Sequence, residues 1–247
     1  MKKVKAVFWD LDGTIADTEL LGHRIAFNLA FKDFNLDWEW DVKTYIRLLS
    51  FAGGKHRIKR YSQESGFEIS EKLCDEIHKR KQKNYLKIIS NGDIIPRTGV
   101  TRLLKELREQ NIKQWIVTTS SKNTTLKLID ALFANPDNLF NGLITSDDNL
   151  SLKPSPEAYL KVLELSDTST HESIAIEDSL IGLKSAKAAN LKCVITLSPW
   201  IKSPSKEFRE ADLLVDHLGE NKLPSYLFKG ILNESLVNFD LLNSLLN

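Results

Sequence analysis

Two hydrophobic periodicities divide this chain. Short apolar runs occur at Val4, Ala6, Val7, Phe8 and Trp9, and again at 114–118, 143–145, 173–176, 193–197 and 213–215. They are too short for helices, and their β-branched and aromatic content suits strands buried on both faces. Between the later runs, apolar residues recur at helical spacing, as in Val100, Leu103, Leu104, Leu107 and in Tyr159, Leu160, Leu163. Strands alternating with helices predict a doubly wound α/β fold, a Rossmann-like parallel sheet with crossovers.

Residues 18–93 break the alternation. They carry Leu21, Ile25 and Leu29 at helical spacing and the long pattern "KLCDEIHKRKQKNYLKII", with no strand-like run. The pattern predicts an all-helical domain inserted after the first strand, with the α/β core formed by 1–17 and 94–218. A C-terminal extension, 219–247, remains. Its Leu, Ile and Phe spacing suggests a docking helix or an oligomer contact.

The 247 residues are 42% apolar with a net charge of +1. No stretch approaches the ~18 apolar residues of a membrane span. A balanced charge gives no electrostatic footprint for nucleic acid, so neither a membrane nor a nucleic acid is an expected partner. Two cysteines are too few for a disulfide framework, and Cys193 reads as a small core residue. The start, MKKVKAVF, runs directly into a strand, and a cytoplasmic monomer is expected.

Chemistry enters where the apolar runs stop. The first ends in Asp10 and Asp12, spaced i, i+2 and so pointing to one side of a pleat. Two adjacent carboxylates repel each other unless a cation or a shared proton intervenes. Ligands of doubly wound sheets bind beyond the carboxyl ends of the strands, so the other strand ends are informative. The second brings Thr119 and Ser120, either as an anion site or as an ordinary helix N-cap. "SLKPSPEAY" brings Lys153, and "SIAIEDS" ends in Glu177 and Asp178. Asp10, Asp12, Glu177 and Asp178 are hard oxygen ligands of the kind Mg²⁺ prefers. Thr119, Ser120 and Lys153 supply donors and positive charge for a phosphate. The set suits phosphoryl transfer through an acyl-phosphate.

"DLDGT" (10–14), "TTS" (118–120), "KPSP" (153–156) and "IEDS" (176–179), in this order, resemble the four motifs of the haloacid dehalogenase-like hydrolases. The resemblance implies a helical cap in the insertion, with Asp10 as nucleophile and Asp12 as general acid and then base. It also implies Mg²⁺ held by Asp10, the Asp12 carbonyl and Asp178, with help from Glu177. Thr119 would bind the phosphate beside Lys153. Asp147 and Asp148 fit no motif and read as loop acids.

In the insertion, Glu19 and His23 are four residues apart and share a helix face, which also fits a surface ion pair. The basic clusters "KHRIKR" (55–60) and "KRKQK" (79–83) read mostly as solvated faces, with one or two cations turned inward. The Gly53–Gly54 pair would let backbone approach a ligand. "DTELLGHRIAFN", "DWEWD", Tyr45 and "GGKHRI" resemble the CbbY-type branch of the superfamily. That likeness, which runs to about residue 217, implies a phosphatase acting on a sugar bisphosphate, xylulose 1,5-bisphosphate, an inhibitor of Rubisco. Glu19, His23, Tyr45, Gly53, Gly54, Lys55 and Lys81 would contact the substrate. The chain departs from the pattern at Gly22, one extra residue before His23, and at Thr98, where the family has Pro before Gly99. Two alternatives stay open: a β-phosphoglucomutase-type mutase, which shares every catalytic motif, and a non-enzymatic binding module that has kept the core.

Overall fold

Strand β1 (Ala6–Trp9) is buried along its whole length, because its neighbours and the helices above and below leave neither face to water. It pairs in parallel with β2 (Lys113–Val117) on one side and β4 (Ser173–Glu177) on the other. Beyond β2 lies β3 (Gly142–Ile144); beyond β4 lie β5 (Lys192–Thr196) and β6 (Leu213–Val215), all parallel. Sheet growth reverses direction between β1 and β4. That switch point is where doubly wound folds bind ligands. The computed structural model describes residues 3–51, 53–133, 136–201, 203–230 and 236–247.

Helices α5 (Val100–Glu109), α6 (Lys122–Leu132), α7 (Glu157–Ser166) and α8 (Leu180–Ala188) provide the crossovers. One face of the sheet packs Phe8, Ala175, Cys193 and Ile195 against Tyr159, Val162 and Leu183. Cys193 is a buried free thiol within this core.

The sheet has a seventh strand that the sequence pattern did not predict. Strand β7 (Leu227–Lys229) runs antiparallel to β6, so the sheet is mixed at one edge. A short helix, α9 (Phe239–Ser244), follows; residues 231–235 of the expected extension lie outside the described residues. The extension is anchored by Arg102, whose guanidinium donates to the carbonyls of Leu218, Gly219 and Val237. Glu106 accepts from the Phe239 N–H, and Asn243 accepts from the Val4 N–H.

The chain divides into two compact units, Met1–Asp17 with Ile95–Asn247, and Thr18–Ile94. The second, the cap, contains α1 (Arg24–Asp33), α2 (Val42–Leu48), α3 (Gly54–Glu64) and α4 (Glu71–Ser90). Its core is aromatic: Trp40 lies 4.6 Å from Phe27 between ring centroids, and Trp38 meets Phe31 edge-on at 5.4 Å. The Asn28 side chain clasps the Trp40 backbone, accepting from its N–H and donating to its carbonyl. Among the described residues, no helix is long and apolar enough to cross a membrane.

Candidate active site

The carboxyl end of β1 places Asp10 and Asp12 on either side of the buried Leu11. Asp10 accepts at both oxygens, Oδ1 from Lys153 Nζ at 2.8 Å and Oδ2 from Thr14 Oγ1 at 2.9 Å. Asp12 accepts from Ser120 Oγ at 2.6 Å. Between Asp12 and Thr14 the chain turns through Gly13 at φ +89°, and a Cβ there would meet Asp178 Oδ2 at 2.1 Å. Only glycine combines that backbone with that close approach.

At the end of β2, Thr118 is buried and accepts from the Ser120 N–H, while Thr119 is exposed. The residue that caps α6 is Ser121, which accepts from the Thr124 N–H. Thr119 and Ser120 are therefore not the N-cap. Asp147 and Asp148 have local structural roles: Asp148 completes a capping box with Thr145, and Asp147 accepts from the Lys122 N–H.

Lys153 places its ammonium among three acceptors: Asp10 Oδ1, Val117 O at 2.8 Å and Glu177 Oε1 at 2.6 Å. Its three donors are thereby used. Tyr159, from α7, donates to the same Glu177 oxygen at 2.6 Å, and its ring centroid lies 5.4 Å from the ammonium. Glu177 Oε2 is buried without a hydrogen-bond partner, packed over Gly182, where a Cβ would sit 1.9 Å away. Asp178 is held by Ser198 Oγ at 2.6 Å.

The electrostatics call for more positive charge than Lys153 supplies. Burial lowers the Lys153 pKa, but Asp10 and Glu177 more than offset this, so the ammonium is held above its ordinary value. Burial raises Asp10, against the pull of Lys153, and raises Asp178 well above its ordinary value. Glu177 is pushed up to about 7 by burial, with the Asp10 charge adding to it. Oxygens of Asp10, Glu177 and Asp178 lie within 4.8 Å of one another. A buried set of hard oxygen donors with too little countercharge, one of them an orphaned Glu177 oxygen, fits Mg²⁺. The Asp12 side chain is turned to Ser120 rather than into this cluster.

The cap assembles a second polar group. The Tyr45 hydroxyl, fully buried, donates to Glu19, and Arg57 lies 4.0 Å from the same carboxylate. His23 Nδ1 is 2.9 Å from Lys81 Nζ, and its ring packs on Tyr85 at 4.0 Å. Glu19 and His23 thus face different partners instead of forming the surface pair their spacing also allowed. Residues Glu19–His23 form a π-turn that accommodates the extra residue, Gly22, whose Cα abuts the Tyr85 ring. Lys81 is buried over the rings of Phe27 and Tyr85, whereas Lys79 and Lys83 are exposed. Lys55 is half-exposed and pairs with Asp75 at 2.7 Å, a surface arrangement. Gly53, at φ +86°, caps α3, and Gly54 is small because the His78 ring occupies its side-chain space.

Sequence reasoning did not single out Tyr159, Ser198 or Arg57. Only Arg57 carried a signal, as a member of the basic cluster at 55–60.

The haloacid dehalogenase-like hydrolase family matches residues 7–196. Protein CbbY of Cereibacter sphaeroides is 34% identical over 88% of this chain and 94% of its own length. A crystal structure of a CbbY variant from Rhodobacter sphaeroides, in complex with xylulose 1,5-bisphosphate, superposes with a TM-score of 0.78. It is 32% identical and covers 89% of this chain and 98% of that one. The β-phosphoglucomutase of Bacillus subtilis is 28% identical over 77% of this chain and 82% of its own.

Proposed function

We propose that this chain, which belongs to the haloacid dehalogenase-like hydrolases, is an Mg²⁺-dependent phosphatase that removes one phosphate from xylulose 1,5-bisphosphate. The observation that carries the reading is the meeting of Asp10, Lys153, Glu177 and Asp178 at the sheet's switch point. Similarity to a CbbY protein bound to that sugar bisphosphate supports the substrate.

An Asp10 oxygen attacks the phosphorus and the ester bond breaks, giving an aspartyl-phosphate. Asp12 protonates the departing sugar oxygen, then takes a proton from the water that cleaves the acyl-phosphate and restores Asp10. Lys153 keeps Asp10 ionised and oriented, and Thr119 offers its hydroxyl to the phosphate. Asp10, Asp178 and the Asp12 carbonyl would hold Mg²⁺, with Glu177 in support, and the ion would supply charge neutralisation for the phosphoryl oxygens. The cap would provide discrimination, with Glu19, His23, Arg57 and Lys81 as the residues to read the sugar and its second phosphate and Tyr45 holding Glu19 in place. In this reading the enzyme is cytoplasmic and protects Rubisco from an inhibitor.

A β-phosphoglucomutase-type reaction is the second reading, because the motifs are shared and the B. subtilis mutase is similar. Thr14, where those mutases often carry Val, donates its hydroxyl to Asp10, and this departure from the mutase pattern supports the phosphatase reading. Phosphate release should be measured on xylulose 1,5-bisphosphate, ribulose 1,5-bisphosphate and xylulose 5-phosphate, beside a glucose 1-phosphate to 6-phosphate assay. Rapid, selective hydrolysis of the first is the expected result. Equal turnover of the two epimeric bisphosphates would remove the Rubisco role. Efficient glucose-phosphate interconversion would favour the mutase.

A further inference from the structure

Arg97 occupies an unusual position in the α/β unit. Its backbone N–H donates to the Ile15 carbonyl at 2.8 Å, and the residue is 9% exposed. The guanidinium donates to four main-chain carbonyls. Nη1 reaches Gly13 O and Thr196 O, the latter at 2.9 Å; Nη2 reaches Leu197 O at 2.5 Å and Asp216 O at 2.8 Å. Burying a guanidinium among carbonyl dipoles is costly, so the segments it joins are informative. Two of them form the walls of one carboxylate oxygen. Gly13 approaches Asp178 Oδ2 closely enough to exclude any Cβ, and Ser198, next to Leu197, donates to that same oxygen at 2.6 Å.

We propose that Arg97 is a positioning residue: by tying the Gly13 turn and the Leu197–Ser198 segment to one guanidinium, it fixes the Asp178 carboxylate for divalent-cation binding. The inference rests on the reading of Asp178 as a metal ligand. A planar fork with five donors can span four carbonyls, whereas a lysine offers three donors from one point. Arg97→Lys therefore keeps the charge and loses the clamp.

The test is Mn²⁺ affinity of the full-length protein, read from the electron paramagnetic resonance signal of free Mn²⁺, with thermal melting beside it. Asp178→Asn is the reference, and Arg97→Lys, Ser198→Ala and their combination form a double-mutant cycle. Each single change is expected to weaken Mn²⁺ binding roughly 10–100-fold, as loss of outer-shell support does. The combined loss is expected to fall short of the product, because both changes act on one carboxylate. Half-saturating Mg²⁺ for turnover should rise, while kcat at saturating Mg²⁺ stays near the wild-type value. If Arg97→Lys does not fold, Arg97→Gln takes its place in the cycle, titrated in the cold. A folded Arg97 variant with wild-type Mn²⁺ affinity, or losses that multiply fully, would overturn the clamp. Unchanged affinity in Asp178→Asn would instead overturn the metal reading on which the clamp depends.

Discussion

Lys153 and Asp10 form a buried ion pair at 2.8 Å, both side chains nearly removed from water. The same ammonium also neutralises Glu177. Removing one partner of a buried pair leaves uncompensated charge, at about 3–5 kcal/mol. Lys153→Met is therefore expected to lower Tm sharply in EDTA. Mg²⁺ should raise Tm more in the variant than in the wild type, because added positive charge matters more there. Equal Mg²⁺ shifts in the two proteins would show that the cation does not share these carboxylates.

Asp10→Asn should abolish phosphate release while leaving the circular dichroism spectrum unchanged. The amide retains size and can still meet Lys153 through its oxygen, but it forms no acyl-phosphate. Asp12→Asn should lower kcat by ~10²–10⁴-fold, the usual contribution of a positioned acid–base group. Wild-type turnover by Asp10→Asn would rule out the covalent route.

Chelation should stop turnover and Mg²⁺ should restore it. Ca²⁺ should inhibit, since its larger and less directional shell displaces the reacting oxygens from their places around Asp10 and Asp178. A phosphate-release assay with EDTA, Mg²⁺ and Ca²⁺ arms decides the point, and full activity in EDTA would contradict it.

Lys81 and Lys79 lie two residues apart on α4, one buried against aromatic rings and the other exposed. Lys81→Met keeps the packing and removes the charge. With a charge-assisted hydrogen bond contributing roughly 1.5–3 kcal/mol, kcat/KM on a bisphosphate should fall about 10–150-fold. Lys79→Met should change it little. Matching losses from the two variants would point to general charge steering instead of a specific contact.

His78 gives the cap a pH-dependent stability. Burial lowers its pKa from 6.5 to about 4, with Lys81 and Lys55 adding to the effect. Between those values the unfolded chain binds the extra proton and the folded cap does not, so stability falls as pH drops from 6.5 toward 4. Above 6.5 the contribution is complete and flat. Melting curves across that window should show a smaller pH slope for His78→Gln than for the wild type. Superimposable slopes would count against a half-buried neutral imidazole.

The α/β alternation was legible because buried parallel strands are short apolar runs, and each predicted run matches an observed strand to within two residues. Strand β7 was not legible: "LFK" ends in a charged residue, and its antiparallel pairing with β6 is a long-range contact that no local pattern records. At the site, the chemistry-bearing residues stood out because strands ending in acids are conspicuous. Their supports did not. Tyr159 and Ser198 read as ordinary core and loop residues until the fold brings them to Glu177 and Asp178. In the cap, "KHRIKR" hid the difference between Lys55, paired at the surface, and Arg57, beside Glu19, because a charge run does not show which member turns inward.

The position of β1 in the sheet also orders events during synthesis. The strand leaves the ribosome before either of its hydrogen-bonding partners, Lys113–Val117 on one side and Ser173–Glu177 on the other. Until both have emerged, Phe8 and Trp9 have no sheet to enter, and Asp10 has neither Lys153 nor a fixed neighbour. The cap, by contrast, is one continuous stretch with its own aromatic core, and domains generally fold as units as they emerge. The nascent protein therefore folds its cap first. Asp10, translated before the cap, is set in place after it.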